Sequence, residues 1–225
     1  MRRYTVGLVR VLTTGDPDVL EAHGRWLGAC FPGLEVVSVC IAGQPCGIYD
    51  EESEQRAVPG IVAAGEALAG RGVEAVMVSC AADPGVTALR QRVQVPVIGA
   101  GAAAAAAALA LGTPVGVLGI TEHAPAAMKA VLGAHLVAAC RPAGVETTLD
   151  LAGPWLDAAL AGAGAGLVAA GARVLALGCT GMSLPGTARR LSLRLGVPVV
   201  DPVLAAGAMV LWALADAGGG KEALP

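Results

Sequence analysis

The sequence is poor in aromatic side chains, in charge and in lysine, and each shortage argues against a class of function. Aromatic residues make up 3% of the 225 residues, too few for the stacking platforms that bind single-stranded nucleic acid. The net charge of -3 gives no basic surface for nucleic acid either. Lys129 lies in a helical segment and Lys221 in a glycine-rich tail. Neither is well placed for the Schiff base of a pyridoxal phosphate enzyme.

Motifs for cofactors, metals and export are also missing. No Gly-x-Gly-x-x-Gly segment opens the first helix, which argues against a dinucleotide. No Cys-x-x-Cys pair occurs and the three histidines are scattered, so no zinc site is expected. No apolar leader follows Met1, so we expect a cytoplasmic protein whose six cysteines are free thiols. The sequence therefore predicts a protein without a cofactor or a metal.

One uncharged stretch, residues 93–121, is long enough to raise the question of a membrane span. Pro96 and Pro114 interrupt it, and glycines stand at turn-like places. The alanine run between these prolines favours a helix but is only weakly hydrophobic. We interpret the stretch as strand, helix and strand, all buried, and expect no membrane segment.

Apolar runs alternate with helical segments along the whole chain. The runs are apolar without alternation, which is typical of parallel strands covered on both faces. Val-Pro-Val-Ile at residues 95–98 and Val-Pro-Val-Val at residues 197–200 repeat the same plan. We predict an α/β protein of two similar Rossmann-like lobes, each a doubly wound parallel sheet, related by a pseudo-twofold axis. The first lobe comprises residues 1–98 with 202–225, the second residues 99–201, and the active site lies in the cleft between them.

Local signals set the helix boundaries in this prediction. Asp16 can cap the first helix, with Pro17 at its first position. Asp83 is expected to cap a short helix over residues 84–93. A long alanine-rich helix is predicted over residues 150–171, and another helix over residues 184–195.

Two cysteines stand where buried strands end, about 100 residues apart, which is about one domain length. Cys80 follows Val-Met-Val-Ser at residues 76–79, and Cys179 follows Val-Leu-Ala-Leu-Gly at residues 174–178. Ligands of open α/β sheets bind at the carboxyl ends of the strands. The sequence therefore predicts that both thiols face one cleft.

Facing thiols can move a proton. A thiol before a helix N-terminus has a lowered pKa, which we expect for Cys80 before Pro84 and for Cys179 before Leu184. One thiolate would take a proton from a carbon acid, and the other thiol would return one on the opposite face, which inverts a stereocentre. The alternative is that each cysteine is a small buried hydrophobic residue, as we expect for the other four.

The same segments resemble the aspartate/glutamate/hydantoin racemase superfamily, and within it the hydantoin racemase branch. Cys-Ala-Ala-Asp-Pro-Gly at residues 80–85 and Leu-Gly-Cys-Thr-Gly-Met at residues 177–182 are similar to the two cysteine segments of that branch. Residues 47–51 and 57–60 are also like it. The resemblance covers most of the chain and implies two Rossmann-like lobes with Cys80 and Cys179 as the catalytic acid/base pair.

Departures from the family pattern affect substrate binding. Hydantoin racemases carry an Asn-Pro-Asn-Thr-Ser-like segment after the first strand, but this chain has no asparagine. Thr13 and Thr14 are candidates to replace it. Glutamate racemases have a histidine where Gly181 stands here. The substrate-binding residues that we predict are Thr13, Thr14, Ala81, Asp83, Thr121, Thr180 and Gly181, with Thr121 resembling a substrate-binding threonine of the superfamily.

The predicted function is a cofactor-independent racemase or epimerase acting on the α-carbon of a hydantoin or an amino acid. A cis-trans isomerase or a decarboxylase of the superfamily is an alternative, as is a non-catalytic protein that binds a small molecule with the same fold. Arg10, at the end of the first strand, could bind a substrate carboxylate or face solvent. The expected partners are a small-molecule substrate and further copies of the chain in a homo-oligomer, with no nucleic acid and no membrane.

Overall fold

The computed structural model describes residues 2–218, in which parallel strands alternate with helices. The strands are β1 (Tyr4–Arg10), β2 (Leu34–Cys40), β3 (Ala75–Ser79), β4 (Val97–Gly99), β5 (Val115–Leu118), β6 (Leu136–Cys140), β7 (Val174–Leu177) and β8 (Val199–Val200). The helices are α1 (Pro17–Cys30), α2 (Glu51–Gly70), α3 (Val86–Arg90), α4 (Ala100–Leu111), α5 (Ala126–Leu132), α6 (Leu156–Ala169), α7 (Thr187–Leu195) and α8 (Pro202–Gly218).

The strands form two four-stranded sheets with the same order. The first sheet runs β2-β1-β3-β4 and the second β6-β5-β7-β8, and all pairs are parallel. Strands β3, β5 and β7 are buried along their whole length, which is why their sequences do not alternate. The predicted α/β fold with two parallel sheets is confirmed. The two central strands of each sheet, β1 and β3 or β5 and β7, lie at the point where the order of the strands reverses. Folds of this kind bind ligands at that point.

Helix α4 fills the space between the sheets. Its buried alanines share one hydrophobic cluster with Leu8 and Met77 of the first sheet and Val117 and Ala176 of the second. Alanine has a single methyl group, so the helix can approach both sheets closely. A continuous core therefore connects the lobes.

The lobe boundaries that the sequence suggests remain a prediction. The β1–β4 sheet and the β5–β8 sheet fall on either side of the proposed division, and α8 packs against β3 and β4 of the first sheet. Residues 219–225, the end of the predicted first lobe, lie outside the described residues. Among residues 2–218, no helix is both long and apolar enough to cross a membrane.

Three predicted helices are shorter than expected, and one of them, α7, begins at Thr187 and not at residue 184. Residues 148–150 form only a 3-10 turn, and α6 begins at Leu156, because Gly153 at φ 99° and Pro154 break the run that the alanine-rich sequence suggested. Helix α3 covers only Val86–Arg90 and begins after Gly85, which has a φ of 70°. The first helix agrees with its signals, since Asp16 accepts a hydrogen bond from the Asp18 N–H.

The prediction that Asp83 caps the short helix after Cys80 is wrong. Its carboxylate instead accepts hydrogen bonds from the N–H groups of Gly101 and Ala102, at 2.7 and 2.8 Å. Asp83 therefore caps α4, whose first residues have no other side-chain cap. This contact ties the Cys80 segment to the helix that lies between the lobes.

Candidate active site

A cavity of about 200 Å³ opens between the lobes at the carboxyl ends of the central strands. The chain leaves β1 at Arg10, β3 at Ser79 and β7 at Leu177, and the segments that follow these residues form the cavity wall. Wall residues from the first lobe include Ser79, Cys80, Ala81 and Ala82; those from the second include Ile120, Thr121, Cys179, Thr180 and Gly181. The structure therefore brings the two strand-end cysteines to one cavity.

Both thiols are buried within this wall, with 8% of Cys80 and 7% of Cys179 exposed. Burial raises the pKa of the Cys179 thiol to about 11, against hydrogen bonds from the backbone of Gly181 and Met182 that lower it. Burial also raises the pKa of the Cys80 thiol well above its ordinary value, and the negative charge of Cys179 adds to that shift. The electrostatic coupling reflects the closeness of the two groups.

The expectation of a lowered thiol pKa is therefore wrong. Helices α3 and α7 begin too far along the chain, at Val86 and Thr187, to place their first N–H groups on the sulfurs. Desolvation is then the largest influence on the pKa of each thiol. Both groups are neutral thiols near neutral pH, each with the capacity to become a strong base.

Thr180 connects the two cysteine segments across the lobes. Its Oγ1 donates a hydrogen bond to the carbonyl oxygen of Ser79, at 3.0 Å. Thr180 follows Cys179 and Ser79 precedes Cys80, so this bond joins the chain next to both thiols. Although Thr180 borders the cavity, its hydroxyl hydrogen is used within the protein.

His23 lies behind the same segments, and sequence reasoning missed it. The side chain comes from α1, is 3% exposed, and has its Nδ1 2.8 Å from Ser79 Oγ. Burial and the charge of Arg10 lower the pKa of the ring well below its ordinary value, so the ring is neutral. No signal in the sequence indicated this burial, because it depends on how α1 packs against β2.

Arg10 is the cavity-lining cation, and it is already engaged. Its Nη1 donates to the carbonyl oxygens of Val19 and Leu20, at 2.6 and 3.0 Å, and the residue is 5% exposed. The guanidinium therefore binds the backbone of α1 and does not extend into solvent. Both of these hydrogen bonds use the same nitrogen, Nη1, and the residue also lines the cavity.

Three predicted binding residues stand behind the wall and do not border the cavity. Thr13 Oγ1 donates to the Ile41 carbonyl at 2.7 Å and accepts from the Gln44 N–H at 2.8 Å, which fastens the loop after β2. Thr14 Oγ1 accepts from the Asp16 N–H. Asp83 caps α4 as described. Their predicted contact with substrate stays a prediction.

The other predicted binding residues border the cavity. Ala81 and Thr121 line it, and Thr121 Oγ1 donates to the carbonyl oxygen of His123 at 2.7 Å. A Cβ at Gly181 would lie 2.6 Å from a methyl carbon of Leu151 and 3.5 Å from Cys179 Sγ. A histidine at this position, as in glutamate racemases, would displace its neighbours.

An acidic side of the cavity was also missed. Asp50, Glu51 and Glu54, at the start of α2, line the cavity together with the loop before that helix. Burial, and then the charge of Glu51, raise the pKa of Glu54. The side chain reaches far enough inward for its charge to act on Cys80. The likeness of residues 47–51 to the hydantoin racemase branch was a signal for Asp50 and Glu51, whereas the helix position of Glu54 gave none.

A contact between loops of the two lobes closes another part of the wall. Thr148 Oγ1 donates to the Cys46 carbonyl oxygen at 2.7 Å, and both Thr148 and Gly47 line the cavity. Gly47 has a φ of 68°, and a Cβ there would lie 2.7 Å from Thr148 Oγ1. The close approach of the loops therefore depends on a glycine.

The site offers proton donors and acceptors but no ligand set for a metal. Within the described part of the chain, no group of three or more His, Cys, Asp and Glu residues could hold a metal ion. Two thiols on one cavity can act as an acid and a base on a small molecule between them.

Comparisons with known proteins agree with this geometry. An allantoin racemase from Klebsiella pneumoniae is 26% identical, with a TM-score of 0.83 over 99% of this chain and 96% of that protein. An allantoin racemase from Pseudomonas fluorescens is 21% identical, with a TM-score of 0.80 over 98% and 100%. An arylmalonate decarboxylase shares the fold at 20% identity, with a TM-score of 0.62 over 98% and 96%. No curated protein sequence matches the chain.

The sequence model for the Asp/Glu/Hydantoin racemase family matches residues 18–210. That match includes both cysteine segments and all strands but the first. The chain therefore belongs to the Asp/Glu/hydantoin racemase family.

Proposed function

We propose that this isomerase of the racemase type inverts the C5 stereocentre of neutral 5-substituted hydantoins, with allantoin the first candidate. The observation that carries the proposal is the pair of buried thiols on one cavity, whose wall holds the acidic residues Asp50, Glu51 and Glu54 as well as Arg10. Cys80 and Cys179 are the catalytic pair in this proposal. The likeness to two allantoin racemases, one of them 26% identical, supports the substrate class.

The chemistry needs one thiolate and one thiol. The thiolate takes the C5 proton, the electron pair moves into the adjacent carbonyl to give an enolate, and the opposite thiol donates its proton to the other face of C5. The thiolate and thiol have then exchanged states, so the next substrate of opposite configuration restores them. No cofactor is required, because the thiolate accepts the proton that leaves C5 and the opposite thiol supplies the proton that replaces it.

Charge in the cavity favours a neutral ring over a free amino acid. Glu54 and Glu51 would repel a substrate carboxylate, and the Arg10 guanidinium is bound to backbone carbonyls. A hydantoin carries no carboxylate, and its ring N–H groups can donate hydrogen bonds to acidic side chains. The same argument disfavours the dicarboxylates that a maleate-type isomerase or a malonate decarboxylase would bind.

The test follows C5–H exchange and inversion in D2O by NMR and polarimetry. Single enantiomers of allantoin, other 5-substituted hydantoins and free amino acids would be compared with enzyme-free samples. We expect inversion of the hydantoins with deuterium in the product, and no turnover of the amino acids.

Matched cysteine variants give the control. Cys80→Ala and Cys179→Ala should each lower kcat by at least roughly 100-fold, the usual scale of general acid–base catalysis. Cys140→Ala, whose thiol lies outside the cavity wall, should retain activity. Absence of turnover by the wild type, or full inversion by either catalytic variant, would refute the proposal.

A further inference from the structure

The buried ring of His23 connects the two cysteine segments. Its Nδ1 lies 2.8 Å from Ser79 Oγ, directly before Cys80 in the chain. The backbone of Thr180, directly after Cys179, also acts on the ring and raises its pKa, although burial and the charge of Arg10 lower that pKa by more. A single side chain of α1 is therefore bonded to the neighbour of one thiol and influenced by the neighbour of the other.

A second bond closes the network. Thr180 Oγ1 donates to the Ser79 carbonyl at 3.0 Å, so Ser79 is hydrogen-bonded to both His23 and Thr180. A neutral imidazole has one N–H donor and one nitrogen acceptor, which lets it serve two neighbours at once. Because burial and the charge of Arg10 lower the pKa of the ring, the neutral form and this pattern persist at neutral pH.

Burying such a network costs free energy unless each polar group has a well-placed hydrogen-bond partner. His23 is 3% exposed and Ser79 is 1% exposed, so water does not replace a lost partner. If packing were the only requirement at position 23, an apolar side chain would fill the space equally well. The polar ring instead fixes distances and directions, since hydrogen bonds are directional and apolar contacts are not.

We propose that His23 is a positioning residue that holds the chain segments of Cys80 and Cys179 at the separation that proton transfer requires. This inference rests on the proposed function, in which a substrate is flanked by both thiols. His23 does not border the cavity, so it acts through Ser79 and Thr180. Displacing a reacting group by about 1 Å can cost roughly 100-fold in rate, which makes such support consequential.

The test separates hydrogen bonding from packing. His23→Leu fills the space with apolar atoms, whereas His23→Asn retains an amide that can reach Ser79. We expect His23→Leu to unfold cooperatively yet to lose about tenfold or more in kcat, with KM changed by less than about twofold. His23→Asn should recover a large part of that loss. His135→Leu, at an exposed histidine, should leave both constants unchanged.

Ser79→Ala removes the hydroxyl group that bonds to His23, so it tests the same network. It also provides the test if the His23 variants do not fold. Alone it should lower kcat with little change in KM, and combined with His23→Leu it should add little, because both changes remove one shared interaction. A wild-type kcat in His23→Leu or in Ser79→Ala, or additive effects in the double variant, would overturn the inference. Absence of hydantoin inversion by the wild type would instead refute the proposed function and, with it, this inference.

Discussion

The two buried thiols differ from the activated cysteines that a helix N-terminus creates. Their raised pKa values mean that Cys80 and Cys179 rest as neutral thiols, and that each becomes a stronger base once it loses its proton. The C5 proton of a hydantoin is weakly acidic, so a stronger base suits the task. Burial therefore favours a low thiolate population with high basicity.

This leads to a prediction for pH dependence. The pKa of Cys179 is about 11 and the pKa of Cys80 is also raised, so the fraction of thiolate in the free enzyme grows with pH through the range 7 to 9. We expect kcat/KM for hydantoin inversion to rise by up to about tenfold per pH unit there. Initial rates by polarimetry, corrected for ionisation of the substrate, would measure it.

A plateau in kcat/KM at or below pH 7 would contradict this prediction, because it would require a thiol with a lowered pKa. The Cys140→Ala variant should follow the wild-type profile, since its thiol does not border the cavity.

At the scale of elements, the N-terminal end of α4 lies against the segment that carries Cys80. A Cβ added to Gly101 would collide with the backbone carbonyl of Ala81. The same end of the helix receives both hydrogen bonds of the Asp83 carboxylate. The position of Cys80 therefore depends on a helix that begins about 20 residues later in the chain.

Gly101→Ala should consequently harm both stability and activity. Overpacking against a fixed carbonyl costs about 1–3 kcal/mol in the free energy of unfolding, and relief of the clash would move the Cys80 segment and lower kcat. Gly162→Ala in α6 is a matched control, because its Cβ would meet nothing within 4 Å. That control should raise the free energy of unfolding by about 0.5–1 kcal/mol. Urea titrations would measure both, and equal effects of the two substitutions would contradict the close approach.

Much of the site's framework was predictable at this scale. Apolar runs ending in Cys80 and Cys179 identify the strands, and parallel sheets bring strand ends together. His23 and Glu54 were not predictable in the same way, because their burial depends on which helix faces which sheet. The cap made by Asp83 was also missed, since its partners Gly101 and Ala102 come from another element.

For the whole molecule, the cavity exists because two lobes are held together by contacts of several kinds. The shared core around α4 supplies apolar burial. The bond from Thr180 to Ser79 lies at the inner end of the cavity wall, and the bond from Thr148 to Cys46 joins the outer loops. These links fix the width of the cavity between Cys80 and Cys179.

Loss of the hydrogen bond between Thr148 and Cys46 should weaken substrate binding. Thr148→Val keeps the shape of the side chain and removes the hydrogen bond to the Cys46 carbonyl, worth about 0.5–1.5 kcal/mol. We expect KM for a 5-substituted hydantoin to rise by roughly twofold to tenfold, with a smaller change in kcat. Thr87→Val, at an exposed threonine outside the cavity wall, is the control and should leave KM unchanged. An unaltered KM in Thr148→Val would show that this contact does not shape the bound state.

The acidic residues of the cavity all come from one lobe, since Asp50, Glu51 and Glu54 belong to the first lobe and the second lobe adds no charged side chain to the wall. The two enantiomers of a substrate would therefore meet unlike surroundings. Mirror-image molecules with a single stereocentre nevertheless have equal free energies in water, so the equilibrium constant between them is one. The Haldane relation then requires equal kcat/KM in both directions. Any preference that the uneven charge creates must appear as a KM and a kcat that differ between the enantiomers by the same factor.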